Sequence, residues 1–189
     1  GDCTFTGCVP SKSLLAAASR GDGFDAAMAH VRDTVSHVAA TEDADALRRG
    51  GIEVVEGRAR FVGPGAVSTG DTIHRGERII LATGSRPLTP PIAGLDEVPF
   101  LTNETLFDLT ARPDRLAIIG GGPIGVEMAQ AFAGLGTRVT VIERLSRLLP
   151  RDDAAAGSIL MSRVAGQGVA VRTGVGVDKV APGTERTGR

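Results

Sequence analysis

The sequence predicts an α/β chain in two parts, helices with a β-meander over about 1–100 and a parallel βαβ unit over 101–189. Three observations carry this reading. Apolar residues recur at helical spacing near the start, and short β-branched runs divided by glycines follow. After a proline-rich connector, a four-residue apolar strand runs directly into the turn Gly120-Gly121-Gly122-Pro123-Ile124-Gly125.

Taken in order, 11–20 (SKSLLAAASR) reads as helix, and 24–40 places Phe24, Met28, Val31, Val35 and Val38 on one helical face. A short helix over 43–49 stops at Gly50-Gly51. The period then changes. Segments 52–55, 58–62, 66–69, 72–73 and 78–82 predict the short strands of a meander, the last of them buried. Pro87, Pro90, Pro91 and Pro99 mark the connector. Beyond it lie a buried strand at 116–119, a helix over 123–135 and a strand over 138–143, which together make one βαβ unit. A helix over 153–167 and a strand over 169–172 extend the alternation, before Gly- and Thr-rich residues reach Arg189.

With 42% apolar residues the chain can bury real cores, and its formal net charge of -1 is spread without long runs of one sign. That balance argues against nucleic acid or a membrane surface as the main partner. No segment is long and apolar enough to span a bilayer and no secretory leader is visible, so a cytoplasmic location is the default expectation. There is no initiator Met, and Gly1 already lies inside a motif, as in an internal piece of a longer protein.

Both cysteines, Cys3 and Cys8, fall within the first eight residues. A regular helix would separate them by about 7.5 Å along its axis, so bonding requires a turn up to Gly7 that leads into a helix. Cys8 then sits at a helix N-terminus, where the dipole favours thiolate, and Pro10 fits a first turn that needs no donor. A reactive pair is built in this way. A purely structural bridge closing so short a loop would remove only about 2 kcal/mol of chain entropy. Zinc is disfavoured too, because His30, His37 and His74 show no ligand spacing with the cysteines.

The second chemical signal is the glycine turn. Gly120 makes a tight turn, Gly122 lets backbone approach a pyrophosphate, and Gly125 lets helix and strand pack closely. The strand ending in Glu143 supplies an acid for the adenosine ribose, which favours NAD over NADP; Arg144 and Arg147 pull toward NADP. A dithiol and a nicotinamide site in one chain imply two-electron traffic, and a flavin is the natural relay between them.

The motifs CTFTGCVPSK, ATGSRP at 82–87, and GGGPIGVE followed by VTVIER resemble, in order, those of the FAD-dependent pyridine nucleotide-disulfide oxidoreductases. That family includes dihydrolipoamide dehydrogenase, glutathione reductase and mercuric reductase, and the wording is most similar to the mercuric-reductase-like branch. The resemblance covers essentially the whole chain. It implies a partial FAD-binding domain with a β-meander over 1–100 and a partial Rossmann-like NAD(P)-binding domain over 101–189. It further implies that Cys3 meets a small-molecule disulfide or metal-ion substrate and that Cys8 lies against the flavin. Lys12 is implied beside flavin N5 with Glu127 as its ion-pair partner, within about 4 Å. Thr83, Gly84 and Ser85 match a turn on FAD, and Ala59 matches a backbone contact to adenine. Gly120, Gly121, Gly122, Pro123, Ile124, Gly125, Val126, Glu127 and Glu143 match the nicotinamide nucleotide site.

Two departures stand out. Asp2 replaces a small hydroxyl residue, and Pro123 stands where several relatives carry a flavin-covering aromatic. The resemblance also implies a homodimeric full-length parent in which further segments supply the first FAD fingerprint and a His-Glu base, so that the chain alone is expected to be inactive. Two rivals remain: an inactive dinucleotide-binding paralogue, and a flavin-free NAD-dependent dehydrogenase with incidental cysteines.

Overall fold

The computed structural model describes residues 2–183; Gly1 of the first motif and residues 184–189, where the second expected part ends, lie outside the described residues. The cysteine segment forms a helical turn α1 (Asp2–Phe5), passes through Gly7, and enters helix α2 (Cys8–Arg20). A Cβ at Gly7 would come within 3.0 Å of both the Asp2 carbonyl oxygen and the Cys3 Cα, so the reversal needs glycine. Helix α2 stops at Gly21, whose left-handed φ of 80° lets its own amide and that of Asp22 close on the Ala18 and Ala17 carbonyls. Helix α3 (Phe24–Thr41) then folds back with Phe24, Ala27, Met28 and Val31 buried, and α4 (Ala44–Arg49) is capped by the Asp43 carboxylate on the Ala46 N–H.

The meander has three antiparallel strands, β1 (Ala59–Gly63), β2 (Ala66–Thr69) and β3 (Thr72–Arg75), in that spatial order. Two expected strands do not form. Segment 52–55 is irregular, and 78–82, expected as a buried strand, is an exposed irregular stretch with Ile80 88% and Leu81 69% accessible. Among the described residues neither segment has a neighbouring strand, and an apolar run without ladder partners has no reason to hold extended pairing geometry.

The second half alternates as expected: β4 (Arg115–Ile119), α5 (Pro123–Gly134), β5 (Arg138–Glu143), α6 (Ala154–Gly166) and β6 (Ala170–Thr173). The strands are parallel in the order β4-β5-β6. β4 is less buried than its sequence suggests. Among the described residues it has only β5 beside it, so Leu116 and Ile118 pack on the core while Ile119 on the other face is 46% exposed.

One hydrophobic cluster runs from Leu14, Ala17 and Phe24 to Met128, Phe132, Val141 and Val164. The Phe24 and Phe132 rings meet with centroids 6.5 Å apart. Small residues let α2 and α5 approach closely: Ala17, Ala129 and Ala131 are fully buried, and a Cβ at Gly134 would lie 3.2 Å from that of Ala18. The cysteine helix is thereby docked on the helix that follows the glycine turn.

Candidate functional site

The two sulfurs lie 3.1 Å apart as free thiols, Cys3 on α1 and Cys8 at the first position of α2. The short helical turn, the glycine and the new helix bring together what one continuous helix would separate. The pair shares a hydrogen bond, and that bond orders its acidity. Donation from Cys8 holds Cys3 below the ordinary thiol range; the same bond, and then repulsion from charge on Cys3, push Cys8 above it. A helix N-terminus alone favours thiolate at Cys8, and the shared hydrogen bond works against it there.

Cys8 opens on a groove of about 1060 Å³ whose lining also includes Lys12, Glu127, Gly120, Gly122 and Gly125; Cys3 does not line it. Lys12 Nζ and Glu127 Oε1 meet at 2.6 Å, bridging 115 positions of sequence as expected. The pair is wetter than a buried one: the side chains are 59% and 28% exposed. The groove wall is otherwise largely apolar, with Pro87, Leu116 and Ile124 among its members, and Ile124 is 68% exposed. A flat, largely apolar ring system with polar edges suits such a groove.

The glycine turn behaves as its spacing predicts. Gly120 has φ 113°, in the region that favours glycine, and a Cβ at Gly125 would collide with the Gly120 carbonyl oxygen. At Gly122, the N-cap of α5, a Cβ would meet nothing within 4 Å and no side chain caps the helix. Open space at an uncapped helix N-terminus of twelve residues is where a phosphate group fits, so these residues suit a dinucleotide. Glu143, buried at the end of β5, already accepts from the Gly121 N–H through Oε2 and the Leu145 N–H through Oε1, each at 2.7 Å. Each oxygen keeps a second lone pair for a ribose hydroxyl.

Other expected residues lie apart. Val126 is buried in the core and its N–H bonds to the Gly122 carbonyl, and Pro123 is exposed in the first turn of α5; neither lines the groove. Ala59 is exposed on β1, opposite Thr69. Thr83, Gly84 and Ser85 are exposed, with Gly84 at φ 76°, and lie outside the groove lining.

Sequence reasoning missed what fixes the cysteine loop. The Asp2 carboxylate accepts from the Ser85 N–H at 3.0 Å and lies against Gly84, where a Cβ would come within 3.0 Å of it. The buried Thr4 donates its hydroxyl to Glu42 at 2.6 Å, and Asn103 Nδ2 donates to the Thr6 carbonyl at 3.2 Å. The loop is therefore tethered to three distant segments. Only Asp2 carried a signal, as an unusual residue beside Cys3; the others are single polar side chains in helix ends and loops.

Comparison with known proteins gives the family. Residues 1–187 match the family described as pyridine nucleotide-disulphide oxidoreductase. The chain is 34% identical over 193 residues to a glutathione reductase of Burkholderia cepacia, covering 94% of this chain and 42% of that one. It is 36% identical over 200 residues to a mercuric reductase of Streptomyces lividans, covering 92% and 41%. Among solved structures, the Cu(II) complex of the HOCl-induced flavoprotein disulfide reductase RclA from Escherichia coli superposes with a TM-score of 0.84 at 29% identity, covering 97% of this chain and 43% of that one. The chain thus spans less than half the length of these relatives. Matched from its cysteine segment through its glycine turn and beyond, it belongs to the pyridine nucleotide-disulphide oxidoreductase family.

Proposed function

We propose that this chain is the thiol-bearing part of an FAD-dependent oxidoreductase that passes electrons from NADH to a disulfide or a thiophilic metal ion. The observation that carries the reading is the asymmetry of the cysteines: Cys8 faces the groove with Lys12 and Glu127, and Cys3 stands outside it. Flavin and nicotinamide, when bound, would supply the two-electron relay between nucleotide and dithiol. Gly120, Gly122, Gly125 and Glu143 would hold the nicotinamide nucleotide, and Lys12, paired to Glu127, would sit at the flavin ring. With a disulfide acceptor, the Cys3 thiolate attacks one substrate sulfur and expels the other as thiolate. Cys8, on losing its proton, attacks the Cys3 sulfur, closing the Cys3–Cys8 disulfide and releasing the second half of the substrate as thiolate.

Division into a partial FAD-binding domain up to about residue 100 and a partial NAD(P)-binding domain beyond it belongs to this proposal, as do a homodimeric full-length protein and a cytoplasmic location. Among the described residues, no helix is long and apolar enough to cross a membrane. The mercuric-reductase-like wording of the cysteine motif favours a metal ion among the acceptors.

The test is spectroscopic and uses the full-length protein. Two-electron reduction should produce a long-wavelength thiolate-to-flavin band that Cys8→Ser abolishes, while Cys3→Ser shows it even without reduction. Identical spectra for the two variants would sink the assigned roles, and a colourless protein would leave the flavin-free dehydrogenase. Steady-state kinetics should show a preference for NADH that Glu143→Ala narrows about tenfold, or about 1.4 kcal/mol. A strong NADPH preference in the unmutated protein would refute the reading of Glu143.

A further inference from the structure

Between β5 and α6 the chain wraps against the glycine turn, and its middle is held in an unfavourable conformation. Leu149 has φ 47°, the one positive value at a non-glycine residue among the described residues. Hydrogen bonds keep it there. Its N–H donates to the Gly121 carbonyl at 2.8 Å, and its own carbonyl accepts from Arg147 Nη1 at 2.9 Å and from the Asp152 N–H at 3.0 Å. Arg147 Nη2 reaches the Pro150 and Asp152 carbonyls at 2.8 and 2.7 Å. The intervening Leu148 is fully buried against Gly121, where a Cβ would come within 2.6 Å of its Cδ2.

Gly121 is thus gripped at both polar groups, its N–H by Glu143 at the end of β5 and its carbonyl by Leu149 beyond it. A guanidinium fixed on three carbonyls is a scaffold. Turning it toward a 2′-phosphate would release all three bonds and remove one of the three hydrogen bonds that hold Leu149 in its left-handed turn. We propose that Arg147 is a positioning residue for the dinucleotide site: it keeps Leu149 in place, Leu149 fixes Gly121, and the Gly122 end of α5 is thereby aimed at the pyrophosphate. This rests on the dinucleotide reading of the turn given above. It makes Arg147 neutral in the choice between NADH and NADPH.

In the full-length protein, Arg147→Met keeps the apolar stem and removes the donors. Its dissociation constants for NADH and NADPH, from direct titration, should rise by the same factor, about tenfold. Hydrogen exchange of the Leu149 amide in nucleotide-free protein should speed up by a similar factor. Leu149→Gly, which relieves the backbone strain, should restore most of the affinity in the Arg147→Met background. Weakening confined to NADPH, unchanged exchange at Leu149, or no recovery with glycine would each overturn the proposal. Wild-type protein that binds neither nucleotide would sink the dinucleotide reading instead, with the exchange measurement still deciding what Arg147 does to Leu149.

Discussion

Replacing Lys12 by Met, Glu127 by Gln, and both together separates a stabilising ion pair from a functional one. At 2.6 Å, two unit charges attract by about 1.6 kcal/mol in a medium as polarisable as water. Lys12 is more than half exposed, so physiological salt screens part of this, and holding two long side chains in one geometry takes away more. The pair should therefore stabilise the fold by only about 0.5–1 kcal/mol. The docking of α2 on α5 does not depend on it, because Ala17, Ala131 and Phe132 are fully buried beneath. Urea unfolding of the four proteins, read as a double-mutant cycle on this 189-residue chain, gives the coupling directly. In the full-length protein each single variant should slow flavin reduction by NADH, and the double variant should be slowed by less than the product of the two effects. A stability coupling above about 2 kcal/mol with unaltered flavin reduction would show the pair to be a structural staple and refute this reasoning.

Three further outcomes are expected. Gly125→Ala drives a methyl into the Gly120 carbonyl oxygen, and because that neighbour is backbone it cannot rotate away; the variant should lose about 1–3 kcal/mol, seen as a lower thermal midpoint, and an unchanged midpoint would contradict the packing described. Iodoacetamide at neutral pH should label Cys3 before Cys8, as read by peptide mapping. Because a lowered pKa means thiolate at lower pH, Cys8→Ala removes the donor and should move the Cys3 rate profile to higher pH, whereas movement the other way would reverse the assigned proton. Asp2→Asn keeps an oxygen for the Ser85 N–H but removes a charge that raises Cys3, so the same profile should move to lower pH; loss of labelling would show that the charge itself holds the loop.

What could be read from the sequence was whatever local chemistry decides. The β4–α5–β5 unit declares itself because Gly120 and Gly125 sit where a backbone turn and a close helix approach admit no Cβ, and such constraints leave a fixed spacing. The meeting of Cys3 with Cys8 followed from Gly7 and Pro10. The contact between Lys12 and Glu127 came from family pattern, since nothing local to either residue announces the other. The misplaced strands failed for a different reason: 78–82 has a strand's composition, but pairing is a property of neighbours, and residues 2–183 place no strand beside it. The same holds for Arg147, whose guanidinium looked available for phosphate until its three carbonyl partners came into view.

Three tethers on the cysteine loop, at Asp2, Thr4 and Thr6, bear on time as well as on shape. A dithiol on a free linker would see its partner at a millimolar effective concentration. Here both sulfurs are held in contact before any substrate arrives, so the local concentration of one thiol at the other is far higher. In the proposed reaction, a substrate joined to Cys3 is then displaced by Cys8 faster than a free cellular thiol can intercept it. Covalent adducts should be short-lived in the intact pair and should accumulate as soon as Cys8 is removed, which makes the loop a device for letting go.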